Sequence, residues 1–276
     1  MRIYIKPDLE GITGVVLEPL QTSNNQMYYQ EARKLMTADV NAVAKGAVKA
    51  GADEVYVEAG HASWGHNMIF EEFIDEVRYM DGRSASRPIS AMEEVYKESD
   101  AFFIVGQHPM RGTRRGVIEH TFLPPINELK VNGKPMGEMG MKAAVAGYYD
   151  VPVAFVSGCD QAVAEARDIF GDVEAVAVKK GLGRQSAILL PSCVTLPMLE
   201  DGAARAVERL SEFKPFKVSE PTKIEVEFQH TGMADAAEMT PYVERVDGLS
   251  LVFEGPFIEA FRALRSMIRH AVSQRR

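Results

Sequence analysis

No stretch of the chain approaches the roughly 18 consecutive apolar residues that cross a bilayer as a helix. A membrane-spanning protein is therefore not expected. The first residues also lack a basic stretch leading into an apolar one, so no secretory signal is read there and a cytoplasmic location is expected. There are only two cysteines, Cys159 and Cys193, with neither C-x-x-C nor zinc-finger spacing. Both are expected to be buried free thiols, and any metal must then be held by His, Asp and Glu. Basic tracts are missing and the net charge is −8, which argues against nucleic acid as a partner. Several catalytic signatures are missing as well. There is no H-E-x-x-H, no G-x-S-x-G elbow and no Walker loop. The segment "GLGRQS" (181–186) begins like a dinucleotide fingerprint but has neither its third glycine nor its following acid.

What is present is ordinary globular material. Hydrophobic residues make up 46% and charged residues 25% of 276 positions, enough for one large domain or two modest ones. Residues 2–6 are a short apolar run and predict a strand. Residues 27–50 repeat Ala, Leu and Met with a helical period, and Gly51 stops them. "EVYVEAG" (54–60) predicts the next strand, so the chain opens as a βαβ unit with a parallel pair. The alternation continues with a helix from about Ser90, a strongly apolar strand at 101–106 and a shorter strand, "GVIEHTF", at 116–122. Asn132-Gly133 between extended segments signals a hairpin. A helix in "EMGMKAAVAGYYD", a strand at 151–158, a helix in "DQAVAEARDIF", a strand in "VEAVAVKKG" and a helix over 196–212 follow. Two prolines in "KPFKVSEPTK" (214–223) mark a linker, after which come two short strands and a final helix. The expected fold is α/β, with a mostly parallel sheet flanked by helices over residues 1–213. A smaller C-terminal α+β domain is expected over residues 214–276.

Ligands of open parallel sheets bind beyond the carboxyl ends of the strands. Asp8 and Glu10 follow the first strand, His61 follows "EVYVEAG", and His108 follows "AFFIVGQ". His120 lies at the end of "GVIEH", and Glu138 opens a helix. Residues two apart on an extended chain share a side, so Asp8 and Glu10 sit together and need neutralising. Singly these residues have plain explanations: solvated loop charge, a helix-start acid favoured by the dipole, a strand histidine. Together they form a donor set for two divalent ions. With Asp8 bridging and Glu10, His61, His108 and Glu138 each binding one ion, every ion gains three protein ligands and keeps an open position, as catalytic zinc does. A shared hydroxide closes the charge. His66, His230 and His270 are given no role.

The segments "PDLEGITG", "YQEARKLMTADVNA", "GADEVYVEAGH", "GQHPMRGT", "GVIEHTF" and "VNGKPMGEMGMKAAVAGYYDVPVAFVSGCD" resemble the M55 peptidases, a family of zinc D-aminopeptidases. The resemblance covers most of residues 1–190 in order, and the C-terminal part more loosely. It implies metal ligands at Asp8, Glu10, His61, His108 and Glu138, and a catalytic role for His120. It implies two zinc ions per chain, although the same donors accept manganese or cobalt. It also implies a short peptide substrate cleaved after its N-terminal residue, and a homo-oligomer, a decamer of stacked pentameric rings. The chain departs from the family's habit at Ala59-Gly60, where an Asp-Ser pair is usual, and at Lys6-Pro7, where small or apolar residues are usual. In the expected reaction a two-metal-activated water attacks the peptide, and His120 passes a proton to the leaving amine. Two other readings stay open. The same edge suits a binuclear hydrolase of a phosphate ester or cyclic amide, with Arg111, Arg114 and Arg115 as anion contacts. It also suits a binding protein without turnover.

Overall fold

Strands with no polar face need cover on both sides, and that requirement sets the architecture. Strand β4 (Ala101–Gln107) and strand β7 (Val153–Cys159) are buried at every position. They sit at the middle of a seven-stranded sheet in a computed structural model, which describes residues 1–62, 64–83, 89–123 and 125–274, with backbone only at 89–91. Beside them run β1 (Arg2–Pro7), β2 (Glu54–Glu58) and β3 (Val77–Met80) on one side. On the other side run β8 (Glu174–Gly183) and β9 (Ser186–Leu189). The order is β3-β2-β1-β4-β7-β8-β9, parallel throughout except for the last pair. The expected α/β fold with a mostly parallel, helix-flanked sheet is therefore what the structure has.

Helix α1 (Tyr29–Lys49) connects β1 to β2 and packs against α5 (Ser192–Glu208). Helix α2 (Ile89–Lys97) leads into β4, and α4 (Asp160–Phe170) joins β7 to β8. From β1 the chain moves outward to β2 and β3, then returns to β4 on the opposite side of β1. The strand order thus reverses between β1 and β4, which makes their carboxyl ends the crevice where such sheets hold ligands.

A second sheet is antiparallel, in the order β11-β12-β10-β5-β6. Strands β10 (Thr222–Phe228), β11 (Glu244–Arg245) and β12 (Ser250–Gly255) come from the expected C-terminal unit. Strands β5 (Ile126–Val131) and β6 (Lys134–Pro135) come from before residue 213, and β5 pairs directly with β10. Strand β10 alternates buried and half-buried residues, as a sheet covered on one face does. Helices α6 (Thr231–Ala237) and α7 (Phe257–Val272) pack on this sheet. The hairpin turn at Asn132-Gly133 has positive φ at both residues, 52° and 77°, the type I′ requirement.

Three sequence expectations need correction. Residues 116–122 form turns and bends, not a strand. Arg115, Ile118 and Phe122 have φ of 61°, 49° and 57°, which no strand accommodates, and the Ile118 amide donates to the Arg184 carbonyl. Helix α5 starts at Ser192 rather than at residue 196. Of the two thiols Cys159 is buried, but Cys193, in the first turn of α5, is exposed.

Candidate metal centre

The exit of β1 is pinned to β4 by backbone bonds. The Asp8 amide donates to the Val105 carbonyl at 2.7 Å, and the Gly11 amide to the Gly106 carbonyl at 2.7 Å. A Cβ on Gly11 would lie 2.2 Å from the Gly106 carbonyl carbon, so only glycine lets the two backbones come this close. This contact seats Asp8 and Glu10 beside His108, which follows β4. His61 arrives from the loop after β2, and Glu138 is the first residue of α3 (Glu138–Tyr148). All five are buried. His120 comes from the 116–123 turns, its ring stacked on that of His108 with centroids 3.8 Å apart. All six residues selected from the sequence are thus brought to one place.

The three histidines share a pattern. His61 bonds the Thr22 carbonyl through Nε2 at 2.7 Å, His108 the Pro109 carbonyl through Nδ1 at 3.0 Å, and His120 the Ile118 carbonyl through Nδ1 at 2.9 Å. A carbonyl only accepts, so each of these nitrogens carries the proton. The opposite nitrogen of each ring then aims at carboxylates. His61 Nδ1 is 3.2 Å from Asp8 Oδ1 and 3.2 Å from Glu10 Oε2. His108 Nε2 is 3.2 Å from Glu138 Oε1 and 3.8 Å from Asp8 Oδ2. His120 Nε2 is 3.7 Å from the same Glu138 oxygen.

Lone pairs facing anions at these distances repel unless a cation lies among them. A proton is one answer. Burial alone would lower the His61 pKa, but Glu10 and Asp8 outweigh it and lift it well above the usual imidazole range. His108 is likewise lifted to about 9, by Glu138 against burial. Burial would raise both acids, yet Lys142 and His61 hold Asp8 well below the usual carboxylate range, and His108 brings Glu138 down to about 2. A divalent ion is the other answer. Glu10 Oε2 and His108 Nε2 are buried without any hydrogen-bond partner. Among the described residues, Asp8, Glu10 and His108 form one group with donor atoms close enough to share an ion, and His108, His120 and Glu138 form another. Imidazole with its far nitrogen held by a carbonyl, next to carboxylates, is the donor chemistry of zinc and its neighbours. The residues fit the ion.

Two lysines that sequence reasoning missed complete the surroundings. Lys142, one turn along α3 from Glu138, sets its Nζ 2.9 Å from Asp8 Oδ2 and 2.6 Å from Gln107 Oε1. A signal was available, because α3 is buried at every position from Glu138 to Gly147 and offers its lysine no wet face. Lys179 of β8 donates to the carbonyls of Glu10 at 2.6 Å, Ile12 at 2.8 Å and Val15. It thereby clasps the loop that carries Glu10. By contrast Arg111, Arg114 and Arg115 are exposed. His66 pairs with Asp81 at the surface, His230 is exposed, and His270 lies near Thr240.

Fold and site together define an α/β protein with a buried His/carboxylate cation centre at the switch point of its parallel sheet. Comparison with known proteins narrows this. The chain belongs to the M55 peptidase family, described as D-aminopeptidase, whose model matches residues 1–266. A D-aminopeptidase of Bacillus subtilis (strain 168) is 29% identical over 274 residues, spanning 99% of this chain and 98% of that one. The solved structure of the Zn-dependent D-aminopeptidase DppA from Bacillus subtilis, described as a self-compartmentalizing protease, superposes with a TM-score of 0.92 at 28% identity. It covers 99% of this chain and is itself covered over 98%.

Proposed function

We propose that this protein is a zinc-dependent aminopeptidase that removes the N-terminal residue, a D-amino acid, from short peptides or amino-acid amides. One observation carries the reading: three imidazoles, each held by a backbone carbonyl, present their free nitrogens to three buried carboxylates. Asp8, Glu10, His61, His108 and Glu138 would hold the metal, with Asp8 central because its two oxygens face His61 and His108 respectively. When bound, the metal supplies a Lewis acid for the scissile carbonyl and a water of lowered pKa.

The chain's own residues do the rest. His120 is the least buried of the three histidines, at the rim of the centre. Its Nδ1 proton is committed to the Ile118 carbonyl, so Nε2 is the atom that takes up a proton and delivers it to the leaving amine. Stacking on His108 fixes the ring's orientation. Glu138 Oε1, 3.7 Å from Nε2, stabilises the imidazolium while the proton is held there.

The relative's self-compartmentalizing character supports a homo-oligomer here too, while a decamer rests on the family resemblance alone. Edge strand β9 and the start of α5 carry Ile188, Leu189, Leu190, Val194 and Met198 with between 37% and 54% of their surface exposed. Apolar exposure on that scale beside an open sheet edge is what a second copy covers. No helix among the described residues is long and apolar enough to cross a membrane.

The test is hydrolysis of D- and L-alanine p-nitroanilide by zinc-loaded protein, before and after a chelator. Turnover of the D-substrate that stops on chelation is expected. Turnover of p-nitrophenyl phosphate with none of either amide would overturn the reading in favour of a phosphate ester.

A further inference from the structure

Asp8, Glu10 and Glu138 bring three negative charges into one buried centre, and Lys142 brings a positive one. Its Nζ lies 2.9 Å from Asp8 Oδ2 and 3.8 Å from Glu138 Oε2. The ammonium is also held by Gln107, whose Oε1 accepts from it at 2.6 Å. Gln107 is itself fully buried, and its Nε2 donates to the His108 carbonyl, so its amide oxygen is committed to the lysine.

The ammonium divides the centre unevenly. On one side Asp8 Oδ1 and Glu10 Oε2 each stand 3.2 Å from His61 Nδ1. On the other side Asp8 Oδ2 and Glu138 stand beside His108, and both of these carboxylates also face Lys142. With the lysine counted, one dication brings the three carboxylates to neutrality, whereas a second, even with a shared hydroxide, leaves one uncompensated positive charge. The second must also settle on carboxylates that a buried ammonium already occupies. Like charges at such separations, shielded from water, repel strongly.

We propose that Lys142 takes the electrostatic place of one ion of the pair. The chain then binds one dication tightly, on the Asp8 Oδ1, Glu10 and His61 side, and a second much more weakly on the His108 and Glu138 side. The weaker position is the one that free metal concentration regulates. This inference rests on the metal-dependent reading above, and the experiment separates the two.

Zinc-free full-length protein is titrated with zinc against a chromophoric chelator, for wild type, Lys142→Met and Lys142→Gln. Wild type is expected to take up one tight equivalent and a second at least about tenfold weaker. Both variants, lacking the buried charge, are expected to take up two tight equivalents. Two equally tight equivalents in wild type would overturn the inference and leave the metal-dependent reading standing. A single tight equivalent in wild type and in both variants would overturn the role of Lys142. No zinc uptake by any of the three would overturn the inference and the functional reading together. Wild type alone decides the main point, so a variant that fails to fold does not rescue the idea.

Discussion

Lys179 offers the most direct test of how the centre is held. The perturbation is Lys179→Met, close in volume and without charge. Three backbone carbonyls of the 10–15 loop lose their donor: Glu10, Ile12 and Val15. A buried acceptor left without a partner costs about 1–3 kcal/mol, so the three together cost about 3–9 kcal/mol. Against this stands the relief of a buried charge. Burial pulls the Lys179 pKa from 10.5 down to about 8, which is about 3 kcal/mol of penalty on the ammonium at neutral pH. The net loss is then about 0–6 kcal/mol, with a mid-range value of about 3 kcal/mol. For a chain of this size that lowers the melting temperature by several degrees, about 2–4 °C for each kcal/mol. The assay is thermal unfolding of the metal-free protein, followed by zinc titration. Because the freed loop carries Glu10, zinc affinity is expected to fall as well. An unchanged melting temperature together with unchanged zinc affinity would refute the idea that Lys179 supports the loop.

Two further predictions stand on other residues. His120→Ala is expected to keep its zinc and lose about 10²–10⁴-fold in kcat, the usual range for a general acid or base; near-normal turnover would remove His120 from the reaction. Asp39 is buried with Oδ1 unpartnered, and burial raises its carboxyl from 3.8 to about 6 despite the Thr13 amide bond at 2.9 Å. The folded state therefore holds this proton longer than the unfolded chain, and stability is lost as pH rises through about 4 to 6. Asp39→Asn keeps the acceptor but never charges, so its stability relative to wild type should rise by up to about 3 kcal/mol between pH 4 and pH 7. Paired denaturation curves at several pH values check this, and a pH-independent difference would contradict it.

Much of the parallel sheet was legible because its central strands β4 and β7 have no polar face. "AFFIVG" and "VPVAFVSG" announce themselves as apolar runs, and the rule that ligands gather beyond such strands selected Asp8, Glu10, His61 and His108 before any coordinates. The 116–122 segment failed for the opposite reason. Its Val, Ile and Phe look like strand residues, yet Val117 and Ile118 are buried and Phe122 half-buried within a chain of turns whose positive-φ positions are taken by Arg115, Ile118 and Phe122 rather than by glycine. Nothing local marks them. The pairing of β5 with β10 joins residues about a hundred positions apart, and periodicity carries no information on partners. Lys142 and Lys179 were overlooked because a lysine in a helix or strand is normally a solvent-facing residue. Lys142 is betrayed by the apolar helix around it, whereas for Lys179 only the carbonyls of the distant 10–15 loop show that it is inside.

The shared antiparallel sheet has a consequence for the order of events during synthesis. Every proposed metal donor lies in the first half of the chain, between Asp8 and Glu138. The ribbon β5–β6 ends at Pro135, just before Glu138, and its outer neighbour is β10, which does not exist until residue 228 has been made. Helix α3 also abuts the later segment at Gly147, where the Phe216 carbonyl leaves no room for even a Cβ. A nascent chain halted near residue 213 therefore displays all the proposed donors, with α3 resting on β4 and β7 but still lacking β10, α7 and the segment around Phe216. Full packing around Glu138 thus waits on the last quarter of the protein.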